Sequence, residues 1–450
     1  MRLSAFYTLL FVLVTSGASA QTWRRLIDAP TYGLAANPQN PNTIIVGGLG
    51  RTIYRTEDGG KTWATHYIEF QSSGNTKLTN IYIHARDTNI VLAGGAFQYI
   101  MRSDDGGLNW HDSFGQNNKP VFATPGETLV ADPHNPDIVY AGDNNSNRIF
   151  KTRDAGLTWD TVAKLDVPTL CTIAVRPDSG NILLAGASTG IIVKSVDSGK
   201  TWRQTAQLRN FQDVEVPRIV FSRHDPRIAY LIIAYFNYKN RPSGGVYKTT
   251  DGGENWFATG LQDTSFWTVA TRTFGADDEV FVGGFTDELS QDPKTMIAGP
   301  GLVRRSQNGG NSWVGVDKAI DWLPIETNKN IWMMKFIGTT PATEKLYMAT
   351  EMGFFVLDAP SDVTENPSEM PGADISASIA HGVLRMRIPP DYIRTPQYEV
   401  EVYDLSGRKV FETSAYYSVR EFTLPAIAKG AYCCQISSGD IKKSVVVVNE

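Results

Sequence analysis

The candidate catalytic residues of this chain are acidic side chains in a few loop-like segments. Hydrolysis of a glycosidic bond normally needs two carboxyl groups that face each other across the bond. The candidate carboxyl groups belong to Asp213, Glu215, Asp287, Glu288 and Asp321. Acidic residues are common in exposed loops, so none of these identifies an enzyme by itself. Hydrolysis of a polysaccharide and binding without catalysis both stay open.

Aromatic residues near these acids form a second candidate group. One insertion begins at Ala234 and ends in Arg-Pro-Ser-Gly, a loop composition that predicts exposed rings. Aromatic rings beside carboxylates suit a sugar or a protein partner, although Trp267 and Trp332 suit core packing equally well. The ligand-binding residues that we predict are Tyr235, Phe236 and Tyr238 of the insertion, with Arg218, Trp267 and Trp322 from other connecting segments.

Six near-copies of one eight-residue motif are the elements that must position these loops. The motif reads Ser/Thr-x-Asp-x-Gly-x-x-Trp, with Asn in place of Asp in the last copy, and we number the copies box 1 to box 6. A repeat of 43 to 57 residues is typical of stacked or radial copies of one supersecondary unit. The paired residues are Asp58 and Trp63, Asp105 and Trp110, Asp154 and Trp159, Asp197 and Trp202, Asp251 and Trp256, and Asn308 and Trp313.

Each box is predicted to be a structural turn between two strands. An alternating apolar stretch, such as Thr52-Ile-Tyr-Arg, precedes each one and indicates a half-buried strand. Glycine supplies a positive φ, and the acidic side chain can bond the backbone of its own turn. Because Asn308 fills the same place as the five aspartates, hydrogen bonding is favoured over calcium binding. The six histidines lack ligand spacing, and we expect no metal and no cofactor.

Two further strand-like runs precede each box, so every repeat has four short antiparallel strands, the make-up of one propeller blade. The boxes resemble the Asp-box of the BNR-repeat propellers, which include sialidases, xyloglucan-cleaving endoglucanases, sortilin-like receptors and the photosystem II assembly factors. The resemblance covers residues 22–358 and implies an all-β propeller. It also implies that the boxes lie on one face, whereas sites in such propellers usually lie on the other. The arginines and tyrosine nucleophile of sialidases cannot be assigned in this sequence.

The blade count depends on the two ends of the repeat region. Residues 331–357 repeat three strands without a box, whereas Thr22 and Trp23 resemble the end of one. We therefore predict that the N-terminal strand completes the last blade, with Trp23 beside Phe354–Leu357. That arrangement gives seven blades and removes exposed sheet edges.

The N-terminus and the composition predict an exported protein. Residues 1–20 combine Arg2, an apolar run and Ala-Ser-Ala, as in a secretory signal peptide, and no later segment has the length and apolarity of a membrane span. A net charge of −5 argues against nucleic-acid binding. Three cysteines do not form a disulfide framework: Cys171 is expected in a buried inner strand, and Cys433 and Cys434 on opposite faces of one strand.

The C-terminal region differs in composition from the repeats. Residues 359–376 are rich in Pro, Ser and acidic residues, which is typical of a linker, and residues 377–450 alternate like a small Ig-like β-sandwich. Val402-Tyr-Asp-Leu-Ser-Gly-Arg-Lys-Val410 and Gly430-Ala-Tyr-Cys-Cys-Gln-Ile436 resemble the sorting domain of type IX secretion cargo in Bacteroidota. That resemblance implies passage through the periplasm and contact with the type IX machinery.

The chain is thus expected to be a secreted or outer-membrane-surface protein with four regions: a signal peptide (1–20), a propeller (21–358), a linker (359–376) and a sorting domain (377–450). Its favoured function is binding an extracellular glycan or protein through the face opposite the boxes. A sialidase-like or endoglucanase-like glycoside hydrolase is the alternative.

Overall fold

A computed structural model describes most of the two folded regions of the chain. The described residues are 22–68, 76–95, 98–114, 121–122, 126–211, 213–235, 244–262, 264–285, 301–316, 330–341, 343–358, 376–380, 383–387, 397–404, 408–416, 421–425, 428–438 and 441–449. The chain divides into two compact units, residues 1–361 and 362–450. The predicted signal peptide and nearly all of the predicted linker lie outside the described residues. The described part contains no helix that is long and apolar enough to cross a membrane.

The described strands of the first unit form seven four-stranded antiparallel sheets. The strand β1 (Thr22–Ile27) comes first, and the next sixteen strands build four sheets in chain order. Sheet 1 contains β2 (Thr31–Ala36), β3 (Ile44–Gly48), β4 (Thr52–Thr56) and β5 (Ala64–Tyr67); sheet 2 contains β6 (Asn80–Ile83), β7 (Val91–Gly95), β8 (Gln98–Ser103) and β9 (His111–Asp112); sheet 3 contains β10 (Leu129–Ala131), β11 (Val139–Gly142), β12 (Arg148–Thr152) and β13 (Asp160–Lys164); sheet 4 contains β14 (Leu170–Val175), β15 (Leu183–Ala187), β16 (Ile191–Ser195) and β17 (Arg203–Gln207).

Three further sheets complete the first unit. A short 3₁₀ turn, Ser188–Gly190, joins β15 to β16 in sheet 4. Sheet 5 contains β18 (Val214–Phe221), β19 (Ala229–Tyr235), β20 (Gly245–Thr249) and β21 (Phe257–Gly260); sheet 6 contains β22 (Ser265–Phe274), β23 (Asp277–Phe285), β24 (Gly301–Ser306) and β25 (Val314–Gly315); sheet 7 contains β26 (Ile331–Ile337), β27 (Lys345–Thr350) and β28 (Gly353–Asp358), with β1 as its fourth strand.

The seven sheets are arranged in a closed ring around a central channel. The first strand of each sheet contacts the first strand of the next, and β26 of sheet 7 contacts β2 of sheet 1. These strands carry almost continuous buried residues, such as Thr31–Ala35 in β2, because both faces of each sheet are covered by neighbouring sheets. The boxes join third to fourth strands and therefore share one end of the ring, which we call the box face. The first strands begin at the other end, which we call the opposite face.

Sheet 7 is completed by the N-terminal strand, and this prediction is confirmed. In the β1–β28 pair, Trp23 lies opposite Leu357 and Arg24 opposite Val356. The indole Nε1 of Trp23 also donates to the carbonyl oxygen of Val316 at 2.9 Å, which ties sheet 7 to sheet 6. The chain end thus supplies the contacts that a box tryptophan supplies elsewhere; Trp313, for example, donates to Thr259 O of the preceding sheet at 3.1 Å.

The second unit contains seven strands in one hydrogen-bonded sheet, in the order β32-β31-β34-β35-β29-β30-β33. Its two edge strands meet across the core, because the rings of Phe411 and Phe422 lie 6.4 Å apart. The alternating stretches of residues 377–450 form strands, as predicted, and the first strand begins one residue earlier, at Ser376. The two-layer Ig-like form stays a prediction, since the described strands belong to one curled sheet. The strands are β29 (Ser376–Ala380), β30 (Val383–Arg387), β31 (Gln397–Asp404), β32 (Lys409–Tyr416), β33 (Glu421–Thr423), β34 (Gly430–Ser438) and β35 (Ile441–Asn449).

Replacing Trp23 tests whether the N-terminal strand stabilises the ring. Trp23→Ala removes a buried ring and the bond to Val316 O, and we expect it to lower the free energy of unfolding by about 3–5 kcal/mol. Urea unfolding followed by tryptophan fluorescence measures this effect in the first unit alone, since all ten tryptophans precede residue 333. The control is Tyr67→Ala in β5, where the ring is 67% exposed. Equal stability of the two variants would contradict the closing role of β1.

Candidate functional site

The boxes are closed by a repeated set of hydrogen bonds within each turn. In box 4 the hydroxyl of Ser195 accepts from Gly199 N at 3.0 Å and donates to Asp197 Oδ1 at 2.8 Å. The carboxylate of Asp197 accepts from Thr201 N at 2.9 Å and from Thr201 Oγ1 at 2.6 Å. In box 6 the amide oxygen of Asn308 accepts from the Ser306 hydroxyl and from Ser312 N in the same way, and its Nδ2 donates to Ser312 Oγ at 2.9 Å. An amide therefore serves this turn as well as a carboxylate, as a structural role requires.

Positive φ angles recur at the fourth and fifth residues of each box. The fifth residue is always glycine, as in Gly60 with φ of 90°, where an added Cβ would come within 3.0 Å of Leu26. The fourth residue is Ala155 in box 3 and Ser198 in box 4, with φ of 53° and 63°. Its N–H is bonded to the first hairpin of the same sheet, for example Ala155 N to Asp137 O at 2.9 Å, which holds the left-handed conformation in place.

A basic residue stands directly before each box, and in three repeats it bonds the backbone of the next box, a role that was not predicted from the sequence. Arg55 Nε donates to Gly106 O of box 2, and Arg102 Nε donates to Ala155 O of box 3, both at 3.0 Å. Lys248 Nζ donates to Gly309 O of box 6 at 3.0 Å. The acceptor is each time the fourth residue of the next box. The signal is in the sequence, since Arg or Lys stands at this position in every repeat: Arg55, Arg102, Lys151, Lys194, Lys248 and Arg305.

At the opposite face, β-bulges occur near the start of the first strands of five sheets. A bulge re-aims the side chain of the extra residue, and in four sheets that residue is Tyr32, Cys171, Trp267 or Trp332. Three of these rings pack together, with Trp332 at 4.6 Å from Trp267 and 5.2 Å from Tyr32 between centroids. The bulges thus place an aromatic cluster at the mouth of the channel, where it is buried.

An ion-pair cluster crosses the interior of the ring. Glu127 precedes β10 of sheet 3, and its carboxylate lies 2.7 Å from Arg218 Nη2 of sheet 5 and 2.9 Å from Lys335 Nζ of sheet 7. These sheets are not neighbours, so the contacts must span the channel. Burial disfavours the charged carboxylate, but the two cations outweigh it and lower the pKa of Glu127 to about 2. Arg218 Nη1 also donates to Thr268 Oγ1 of sheet 6 at 3.1 Å.

A second polar group lies beside the aromatic cluster. Lys77, just before sheet 2, places Nζ 4.1 Å from the centroid of the Trp332 ring and 3.7 Å from Glu351 Oε1. Glu351 also accepts from Asn330 Nδ2 at 3.0 Å. Burial raises the pKa of Glu351, and Lys77 partly offsets that shift. The cation therefore has both a carboxylate and an aromatic face as partners.

Three of the predicted ligand-binding residues are buried. Tyr235 is the last residue of β19 and has no exposed surface, so the predicted exposure of this ring is wrong. The hydroxyl of Ser265 in the next sheet accepts from Tyr235 N at 3.1 Å and donates to Tyr235 O at 3.0 Å, which extends the strand into the expected loop. Arg218 and Trp267 are 4% and 2% exposed, so neither faces solvent. Phe236, Tyr238 and Trp322 lie outside the described residues.

Of the candidate acids, the described ones are Asp213, which is exposed, and Glu215, which is partly buried in β18. Burial raises the pKa of Glu215 to about 7, against a hydrogen bond with Cys171 that lowers it. Cys171 lies in the inner strand β14 and is buried and free, as predicted. Asp287, Glu288 and Asp321 fall outside the described ranges. Within those ranges, no group of three or more His, Cys, Asp or Glu residues could hold a metal ion.

Comparison with known proteins agrees with this architecture. A family model described as photosynthesis system II assembly factor YCF48 matches residues 19–178. A curated xyloglucanase from a Paenibacillus species is 22% identical over 330 residues, which is 55% of this chain and 32% of the xyloglucanase. This chain thus spans less than half the length of that relative.

Two solved structures have the same fold. YCF48 bound to a D1 peptide superposes with a TM-score of 0.52 at 14% identity, over 75% of this chain and 96% of that chain. The GH74 enzyme of Niastella koreensis gives 0.54 at 16% identity, over 94% of this chain and 67% of its own. The chain contains a BNR-type β-propeller. Identities this low show the fold alone, so the activity of the propeller must be inferred from its own residues.

The box carboxylates predict how stability depends on pH. Bonds from the hydroxyl and N–H of Thr201 lower the pKa of Asp197 to about 2. Because this pKa is lower in the folded than in the unfolded protein, where it is about 4, the ionised carboxylate stabilises the fold above about pH 4. That stabilisation is lost as the pH falls toward 2. We expect the melting temperature of Asp197→Asn to depend less on pH than that of the wild type in this window, because box 6 accepts asparagine. Asp213→Asn, at an exposed site, is the control; identical curves for all three proteins would contradict the prediction.

The ion-pair cluster across the channel predicts that removal of the Glu127 carboxylate strongly lowers the free energy of unfolding. Glu127→Ala leaves Arg218 and Lys335 without their shared carboxylate, and breaking such a buried pair costs about 3–5 kcal/mol. Urea unfolding by tryptophan fluorescence is the measurement. The control is Glu57→Ala, whose carboxylate is 69% exposed and lies 2.7 Å from Arg55, where about 1 kcal/mol or less is expected. Similar small losses in both variants would show that the cluster does not hold the ring.

Proposed function

We propose that this chain is an exported, seven-bladed BNR-type propeller that binds a protein or glycan partner through its opposite face without catalysis. The observation that supports this proposal is the position of the longest connections between strands. Among the described strands of the first unit, the five connections of nine or more residues lie between β5 and β6, β9 and β10, β19 and β20, β23 and β24, and β25 and β26. All five begin and end at the opposite face, and the last three belong to sheets 5, 6 and 7, which are neighbours in the ring.

The channel mouth supports this proposal as a rigid base for those connections. Arg218, Thr268 and Lys335 belong to sheets 5, 6 and 7, and all three take part in the cluster around Glu127. Binding loops are commonly carried on such a fixed scaffold. Since Trp267 and Trp332 are buried, partner contacts are assigned to the connections themselves, which include Phe236, Tyr238 and Trp322.

A protein partner is favoured by the lengths of the related proteins. The peptide-bound YCF48 structure is matched over 96% of its chain, whereas the xyloglucanase is matched over 32% of its length. This chain therefore has the extent of a single propeller that binds a peptide. A glycan partner remains part of the proposal because aromatic and acidic residues occur together in the long connections.

Export is proposed on the features of the two ends. Residues 1–20 have the pattern of a signal peptide, and residues 377–450 carry the motifs that resemble a type IX sorting domain. We propose that the protein passes through the periplasm to the cell surface or the medium. Mass spectrometry of secreted protein should then find Gln21 at the N-terminus and a chain that lacks the sorting domain.

A glycoside hydrolase is the second candidate, because a xyloglucanase is 22% identical over 330 residues and two partly buried carboxyl groups differ in their pKa values. Glu215 has a pKa of about 7, whereas that of Glu127 is about 2. One protonated and one ionised carboxyl group are what acid-assisted hydrolysis uses. However, Glu127 is already held by two cations, which supports a structural role for it.

One experiment separates binding from hydrolysis. The purified protein is incubated with a panel of plant, algal and host glycans, retention and soluble products are both measured, and envelope proteins that it captures are identified in parallel. We expect retention or a specific protein partner and no products. Phe236→Ala with Tyr238→Ala should weaken binding about tenfold or more, as for removal of aromatic anchors. The control is Phe257→Ala, an exposed ring in β21 that follows box 5.

Two results would contradict this proposal. Soluble products from one polymer, lost in Glu215→Gln, would replace the binding proposal with hydrolysis. Unchanged affinity in the Phe236 and Tyr238 variant would remove that connection from the site.

A further inference from the structure

At the junction between sheet 7 and sheet 1, Val356 takes the position that a basic residue occupies before each of the six boxes. The register of the strands identifies the equivalent position: Lys151 pairs with Tyr140, Lys248 with Tyr230, and Val356 with Tyr347. Valine has no donor that can reach box 1. A Cβ built on Gly106 or Gly309 meets Arg55 or Lys248 of the preceding sheet, whereas one built on Gly59 meets only Asn42 of its own sheet among the described residues.

A cavity of about 320 Å³ occupies this junction on the box face. Asp58, Gly59 and Lys61 of box 1 form one wall. The other wall contains Thr339 and Lys345 of sheet 7. Its volume is at the lower end of the range for ligand sites. The cavity exists because sheet 7 was completed by the chain's N-terminus and so carries no box of its own.

Cations dominate the lining of the cavity. Lys61 and Lys345 are exposed at its rim, and Arg24 lines it as well. Arg24 Nε is bonded to Asp358 Oδ2 at 2.7 Å, and Lys345 lies farther from that carboxylate, at 3.8 Å. The one acidic side chain in the lining, Asp58, already accepts bonds from Thr56, Lys61 N and Thr62.

The aromatic lining does not suit a sugar ring. Tyr347 is 6% exposed, and its ring is stacked on Phe354 with the centroids 5.7 Å apart. One face of the tyrosine is therefore covered, and the remaining described lining is aliphatic, polar or charged. Carboxylates on flexible side chains match these cations and hydroxyls better than a stacked pyranose does.

We propose that this junction, which we call the seam pocket, is a second binding site that takes the carboxylate side chains of an acidic peptide segment. Lys61 and Lys345 pair with the carboxylates at the rim, and the exposed Thr339 hydroxyl donates to them from the wall formed by sheet 7. The site lies on the box face, so it is separate from the partner site proposed for the opposite face. It lies at the closure of the ring, where Val356 takes the position of the basic residue.

Isothermal titration of the full-length protein with tetraglutamate tests the seam pocket. We expect saturable 1:1 binding that weakens with added salt, since the Debye length falls from about 10 Å at 0.1 M to about 3 Å at 1 M. Lys61→Glu and Lys345→Glu should each weaken binding about tenfold or more, which is 1.4 kcal/mol or more. Thr339→Trp, an exposed site, should block the cavity without a change of charge.

The matched control is Lys200→Glu. Lys200 is the exposed residue of box 4 that corresponds to Lys61 of box 1. Its junction with sheet 3 is already linked, because Lys151 Nζ donates to the Tyr140 hydroxyl at 2.8 Å and that hydroxyl donates to Ser198 O of box 4 at 3.3 Å. Unchanged affinity in this variant supports the proposal. An equal loss in Lys200→Glu would show non-specific attraction to surface charge and overturn it.

Two comparison ligands complete the test. Tetraglutamine should not bind, and trigalacturonate should bind more weakly than tetraglutamate. Tighter binding of trigalacturonate that depends on Lys61 and Lys345 would overturn the peptide assignment in favour of an acidic sugar. Absence of tetraglutamate binding at millimolar concentration would overturn the site itself.

Discussion

Closure of the ring is the constraint on which the rest of the first unit depends. Each sheet buries both faces against its neighbours, so a missing sheet or an open end would expose apolar surface and unpaired strand edges. The structure meets this requirement by pairing Thr22–Ile27 with Gly353–Asp358, the two ends of the repeat region. The last sheet is thereby held by residues more than 300 positions apart in the chain. The conformations of the boxes and of the channel mouth both depend on this ring.

Much of the fold could be predicted because its determinants are local. Each box carries its own hydrogen-bond acceptors and positive-φ glycines, and each flanking stretch alternates in the register of a strand. The pairing of Trp23 was predictable because its Thr-Trp pair resembles the end of a box that residues 331–357 lack. The C-terminal strands were predictable for the same reason of alternation, although their arrangement in one curled sheet depends on contacts such as that between Phe411 and Phe422.

The candidate site was less predictable because its determinants lie far apart in sequence. The sequence around Arg218 does not indicate that Glu127 is its partner or that Lys335 shares that carboxylate. The three side chains lie in or next to three different sheets and come together only when those sheets are arranged in the ring. Tyr235 was assigned to a loop by its neighbours, but the bonds to Ser265 keep it in a strand. The links formed by Arg55 and Lys248 had a visible signal, a basic residue before every box. Its meaning depended on knowing that the fourth residue of the next box lies within reach.

The two faces of the propeller differ in how regularly the repeats follow one pattern. On the box face a basic residue precedes every box, and the exception among the seven sheets is sheet 7, where Val356 takes that position and β1 replaces the fourth strand of a repeat. On the opposite face the first strands of five sheets have a bulge, but the residues placed there differ. They are aromatic in sheets 1, 6 and 7, and the residue in sheet 4 is cysteine. A ring of similar units acquires distinct sites where its symmetry is broken. In this chain the symmetry is broken by the long connections of the opposite face and by the closure junction on the box face, and for that physical reason we propose partner sites at both.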